Sequence, residues 1–263
     1  MDTLVNPLSP SAPLQEVAHF FRALADQTRL AIVRLLVQSD LRAGEIVMRM
    51  QLPQNAISYH LRQLRTVGLL RDRRSSADAR DIYYSIDLER MQSLYRHAGE
   101  VLRAAPLSDS RDGSVAPEAT RHIRILFLCT HNSARSQLAE ALARRYGGPD
   151  VDAFSAGDTP TTIHPLTSAL LAEWQIDPAG QASKSLDQFA GQSFDFVITV
   201  CDRVREHCPT FPGAATQLHW SIPDPTAVEG EEERWAAFRA VRHEVDVRVR
   251  HLLRQHLPAR AAA

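Results

Sequence analysis

A chain of 263 residues with 44% hydrophobic and 23% charged residues is long enough for two small domains with packed cores, which excludes a disordered or fibrous protein. No run approaches the roughly 18–20 apolar residues of a membrane helix, and the opening MDTLVNPLSPSAPLQ has neither the basic start nor the apolar centre of an export signal. A soluble, cytoplasmic protein without a membrane partner is expected. The net charge of −1 hides an asymmetry: fourteen arginines against eleven carboxylates over residues 1–104, and an acidic excess behind them. All three cysteines, Cys129, Cys201 and Cys208, lie in the back part, too few and too odd in number for a disulfide framework.

In chain order, Leu14 to Leu24 and Thr28 to Val37 carry helical apolar spacing, Gly44 to Met50 makes a short third helix, and Pro53 sits at the first turn of a fourth running to about Thr66. After Gly68 the pattern becomes two strands, Leu69 to Arg74 and Asp81 to Ile86, around the polar turn SSADA, and a last helix runs from about Asp87 to Arg103. That is the order of a winged helix-turn-helix. Residues 1–103 thus form a mainly α DNA-binding domain. Ala104 to His122, rich in Pro, Ser, Ala, Asp and Gly with no apolar period, reads as a linker (104–122). Beyond it HIRILFLC is a continuous apolar run, as in a strand buried on both faces of a parallel sheet, and opens a second domain, 123–263, of α/β three-layer architecture.

In PQNAISYHLRQLRTVGLL, Ala56, Ile57, Leu61 and Leu64 fall at core spacing and leave Gln54, Asn55, Ser58, Tyr59, Arg62 and Gln63 toward solvent. Gln and Asn can pair with adenine edges, Arg with guanine, and hydroxyls with phosphates. Arg71, Arg73, Arg74 and Arg80 flank the hairpin turn, where a wing reaches the DNA backbone. The words ALADQTRLAIVRLL, AISYHLRQLRTVGLL and DIYYSID, in this order, resemble the ArsR family of bacterial repressors. The resemblance implies a homodimer paired through the first and last helices of the N-terminal domain, operator DNA as partner, and release by a ligand. Metalloid sensors of that family hold their ligand with thiolates, and this domain has no cysteine. Asp87, His97 and Glu100 miss the spacing of the family's zinc site, so no metal is expected.

The back domain opens with ILFL, CTHNSARS and QLAEALARRY: strand, polar loop, helix. Cys129, then five residues, then Arg135 at a helix mouth makes an oxyanion trap, because the loop amides, the helix N-terminus and the guanidinium all favour negative charge and a thiolate. The loop is Thr130, His131, Asn132, Ser133, Ala134, Arg135 and Ser136, and Asp224 in IPDPT is the candidate general acid. This pattern resembles the low-molecular-weight protein tyrosine phosphatase fold. FDFVITVCDRVREHCP, with Cys201 at a strand end and Cys208 seven positions on, resembles the thioredoxin-coupled arsenate reductases within that fold. The resemblance implies that Cys129 attacks arsenate, Cys201 attacks Cys129, and Cys208 attacks Cys201, with thioredoxin as external reductant, no tightly bound cofactor, and a mobile segment after the second strand. It also implies that Asn132 braces the loop and that Ser136 donates to the Cys129 thiolate. Asn132, Glu140 and Ser155 match a monovalent-cation site of some members, where Lys184, the sole lysine, takes the fourth place. The expectation is a DNA-binding regulator fused to an arsenate reductase. Two alternatives stand beside it: a phosphatase tethered to a DNA-binding module, which needs Cys129, Arg135 and Asp224 only, and a repressor whose back domain is an oxyanion or redox sensor.

Overall fold

The computed structural model describes residues 12–102, 122–207 and 210–257. Cys208 and the expected linker, apart from His122, lie outside the described residues. The chain divides into two compact units, one drawn from Met1–Val37, Leu41–Asp72 and Tyr84–Ser114, the other from Gln38–Asp40, Arg73–Tyr83 and Val115–Ala263.

The front elements are α1 (Ala12–Leu24), α2 (Gln27–Gln38), β1 (Leu41–Arg42), α3 (Ala43–Met50), α4 (Gln54–Thr66), β2 (Leu70–Arg74), β3 (Ile82–Ile86) and α5 (Leu88–Val101). Their order matches the winged helix-turn-helix expectation, with β1 added to make a three-stranded sheet of order β1-β3-β2. Pro53 differs slightly from its expected place: its ψ of 148° is extended, so it is the N-cap of α4 rather than part of the first turn. Gly68 follows α4 at φ +69°, left-handed backbone that glycine adopts without a Cβ clash, and Asp87 caps α5 by accepting from the Arg90 N–H at 2.9 Å.

The second unit is built on β4 (Ile123–Cys129), α6 (Arg135–Gly147), β5 (Val151–Gly157), α7 (Pro165–Glu173), β6 (Phe194–Thr199), α8 (Asp202–His207), β7 (Ala214–His219) and α9 (Glu231–His256). Its strands form a four-stranded sheet in the order β5-β4-β6-β7 with every neighbouring pair parallel. Helix α6 packs on β4, β5 and α9, and α8 packs on β4 and β6. Ile125, Leu126, Phe127 and Leu128 are all buried, as the unbroken apolar run requires. Three glutamates in the first turn of α9 and Arg254 and His256 in its last complement the helix dipole. Register pairs Cys129 with Gly157 and Leu128 with Thr199, so the carboxyl ends of β4, β5 and β6 meet at one edge of the sheet. In open parallel sheets that edge is where ligands bind.

Candidate active site

The loop from Cys129 to Arg135 turns its carbonyls outward. Asp158 N–H donates to Cys129 O (3.3 Å), Thr159 N–H to Thr130 O (2.8 Å), Thr161 N–H to His131 O (3.0 Å) and His164 N–H to Ser133 O (3.0 Å), while Gln137 Nε2 donates to Asn132 O (3.1 Å). With its acceptors satisfied from outside, the loop leaves its amide edge for the interior of the turn, where the Asn132 N–H points at Cys129 Sγ, 3.2 Å away. Two backbone features allow this shape. Asn132 takes the left-handed region at φ +48°, which Asn tolerates better than most residues. At Gly157 a Cβ would lie 2.8 Å from Thr130 O and 2.9 Å from Asn132 N, so only glycine lets β5 pass this close. Gly157 and Gln137 escaped the sequence reading; a glycine closing a strand that ends beside an anion loop was the available signal for the first.

Behind the loop runs a buried polar chain whose direction follows from counting donors. Asn132 Nδ2 donates to Ser136 Oγ (2.9 Å) and to Ser155 Oγ (2.7 Å). The Ser136 hydroxyl, already accepting, therefore has its proton free for Cys129 Sγ at 2.9 Å. Ser155 in turn donates to Glu140 Oε2, which also takes the Lys184 ammonium at 3.1 Å. Glu140 is fully buried, and its other oxygen meets Arg144 at 2.6 Å. Lys184 thus stands against Glu140 at the place the sequence assigned it, with its own N–H on Asn132 Oδ1 at 2.8 Å.

Arg135 is buried at the start of α6 and donates from Nη1 to Ile222 O (3.1 Å) and from Nη2 to Asp224 Oδ2 (2.8 Å). Burial pushes the Asp224 carboxyl up, but Arg135, the Thr226 hydroxyl and amide, and His131 outweigh it and hold it below the usual carboxylate range. Thr226 Oγ1 donates to its second oxygen at 2.8 Å. The exposed His131 ring donates from Nδ1 to Thr159 O (3.2 Å). Cys201 lies two residues past β6 and is buried, with Sγ 3.4 Å from the Thr130 hydroxyl. Burial, and then Cys129, push its thiol up. Cys129, Arg135, Asp224 and Cys201 therefore meet at the carboxyl edge of the sheet.

On α4, Ile57, Leu61 and Leu64 are buried as expected. Gln54, Asn55, Tyr59 and Arg62 are exposed, and Ser58 and Gln63 are half-buried. Arg65 pairs with Asp72 (2.8 Å) and Arg71 with Asp87. Of the hairpin arginines, Arg80 is exposed and held by Asp78 (2.6 Å), and Arg74 is exposed and donates to Ala79 O (2.9 Å). Arg73 is turned instead to Asp202, at 2.6 Å.

Comparison with known proteins agrees with both halves. Residues 124–262 match the model of the low molecular weight phosphotyrosine protein phosphatase family, and residues 26–72 that of the bacterial regulatory protein, arsR family. An arsenate reductase of Halalkalibacterium halodurans is 39% identical over 127 residues, 48% of this chain and 91% of that protein. One from Bacillus subtilis is 37% identical over the same shares. A solved arsenate reductase in a phosphate-binding state is 29% identical, with a TM-score of 0.43, over 51% of this chain and 98% of that one.

Proposed function

Because the chain belongs to the low molecular weight phosphotyrosine protein phosphatase family through residues 124–262 and carries an arsR-family segment at 26–72, we propose that it is an arsenate reductase joined to a DNA-binding regulator. The observation that carries the enzymatic half is the second thiol at the anion loop, Cys201 Sγ beside the hydroxyl of Thr130, the residue next to Cys129. Hydrolysis of a phosphate ester has no use for it. Reduction of arsenic from +5 to +3 takes two electrons, which two thiols supply.

Arsenate binds in the loop on the amides and Arg135. Taking the guanidinium from Asp224 removes one of the partners that hold that carboxyl ionised, so its proton affinity rises as substrate enters, which suits a general acid. The Cys129 thiolate, stabilised by the Ser136 hydroxyl and the Asn132 N–H, forms a sulfur–arsenic bond, and water leaves with a proton from Asp224. The Cys201 thiolate then attacks Cys129 sulfur, the sulfur–arsenic electron pair goes to arsenic, and arsenite departs. Cys208 attacks Cys201, which frees Cys129 as thiolate and leaves a Cys201–Cys208 disulfide. Thioredoxin, a dithiol, reduces that bond by exchange. Each turn converts one arsenate and one external dithiol to arsenite, a disulfide and water.

The regulatory half rests on α4, whose Gln54, Asn55, Ser58, Tyr59, Arg62 and Gln63 would read a major groove while Arg74 and Arg80 approach phosphates. Leu14, Phe21, Tyr95 and Leu102, on and at the end of α1 and α5, remain about half exposed, which suits pairing of two copies through those helices. Assay of Cys129→Ser decides the enzymatic half: arsenate-dependent oxidation of thioredoxin should vanish. Aryl phosphate hydrolysis at full rate in Cys201→Ser, with arsenate acting only as an inhibitor, would replace the reductase by a phosphatase.

A further inference from the structure

Asp202, the residue after Cys201, is fully buried and takes five donors. Two come from the end of β7 and the loop behind it: Ser221 Oγ at 2.8 Å and His219 Nε2 at 3.2 Å, both to Oδ1. The other three converge on Oδ2 from residues 73–76 of the same compact unit: Arg73 Nη2 at 2.6 Å, the Ser76 N–H at 2.7 Å and the Ser76 hydroxyl at 3.0 Å. Four residues on, at the next turn of α8, Glu206 accepts from the Ser75 hydroxyl at 2.6 Å. Arg73 also donates from Nε to Ser221 O (3.1 Å), and the Tyr83 ring lies against His219 with centroids 4.7 Å apart.

We infer that Arg73, with Ser75 and Ser76, is a positioning residue for the Cys201 thiol: it fixes Asp202 and the first turn of α8, and so holds Cys201 beside the anion loop. Burial pushes the Asp202 carboxyl up, yet His219, the Ser76 amide and Arg73 together hold it ionised far below the usual range. A buried carboxylate that loses such partners is strongly destabilised where it stands and moves toward water instead. Moving Asp202 drags the peptide that carries Cys201, and displacement of a reacting atom by about 1 Å is enough to lower a rate by roughly a hundredfold. Cys129 sits at the end of β4, and none of the five donors to Asp202 comes from that strand or from the loop after it. The arginine that the sequence assigned to a DNA phosphate is thereby committed to the second thiol.

The kinetic arm of the test rests on the reductase reading; the chemical arm does not. Arg73→Ala, Ser76→Ala and Arg73→Lys are made in the full chain, and alkylation of each thiol by iodoacetamide is followed by peptide mass spectrometry. Cys201 should react about tenfold faster in Arg73→Ala and Cys129 at the wild-type rate, with Ser76→Ala and Arg73→Lys in between. In arsenate turnover with thioredoxin, kcat should fall at least about tenfold with KM for arsenate unchanged, and the lysine should restore part of it. Unchanged Cys201 alkylation in Arg73→Ala, or equal acceleration at Cys129 and Cys201, overturns the inference. Wild-type protein that does not reduce arsenate overturns the proposed function, and the alkylation rates then still decide the role of Arg73.

Discussion

Cys129 and Cys201 are both buried cysteines, and their surroundings differ in what they do to a negative sulfur. Around Cys129 the Ser136 hydroxyl and the Asn132 amide point at sulfur, so the charged form is bonded where it stands. Burial raises the Cys201 thiol, so at neutral pH it is held protonated. The sign of the pH effect follows: the thiolate fraction grows with pH up to the raised value, above the ordinary thiol range. In single-turnover experiments the Cys201-dependent release of arsenite should rise about tenfold per pH unit between pH 6 and 8. A release rate flat over that range would show that Cys201 is not the attacking group. The Cys-x5-Arg spacing, set between an apolar strand and a helix, made Cys129 and Arg135 legible. The thiol contrast was not, since it depends on which atoms surround each sulfur.

At the level of elements, the junction of β4, loop and α6 works because β5 ends on a glycine. Gly157→Ala places a methyl within 3 Å of Thr130 O and Asn132 N, so the loop must open. Oxyanion affinity should fall at least about tenfold, measured by calorimetric titration with inorganic phosphate, and unchanged affinity would contradict the loop geometry. Another prediction concerns the segment Gln38–Asp40 that joins the second unit. Asp40 meets the Arg248 guanidinium of α9 at 2.9 and 3.0 Å and accepts from the Ser221 N–H at 2.6 Å. Asp40→Ala leaves a buried guanidinium with Glu244 alone (3.0 Å), and should cost about 3 kcal/mol or more, a fall in Tm of roughly 6–12 °C by calorimetry. The elements themselves were readable from apolar period and punctuation. Contacts such as Asp40 with Arg248, 208 positions apart, leave no periodic mark in the sequence.

Across the whole molecule, two recognisable segments share one chain, and their sequence signals differ in kind. The front segment announced itself through an order of short helices and a hairpin; on α4 Ile57, Leu61 and Leu64 are buried as that reading expects, while Ala56, Ser58 and Gln63 are half-buried. In the back segment three cysteines, one Cys-x5-Arg spacing and two apolar strands were enough to locate the anion loop. Arg73 shows the limit of such reading: local context made it one more arginine of a basic turn, and only the fold brings it to a carboxylate 129 positions away. The central claim is that thiols reduce a bound oxyanion in a relay. The most direct test is arsenate-dependent NADPH consumption with thioredoxin and thioredoxin reductase, wild type beside Cys208→Ser. Sustained turnover in wild type, falling to about one round in the variant, is the expected result. Equal sustained turnover in both, or none in wild type, would contradict it.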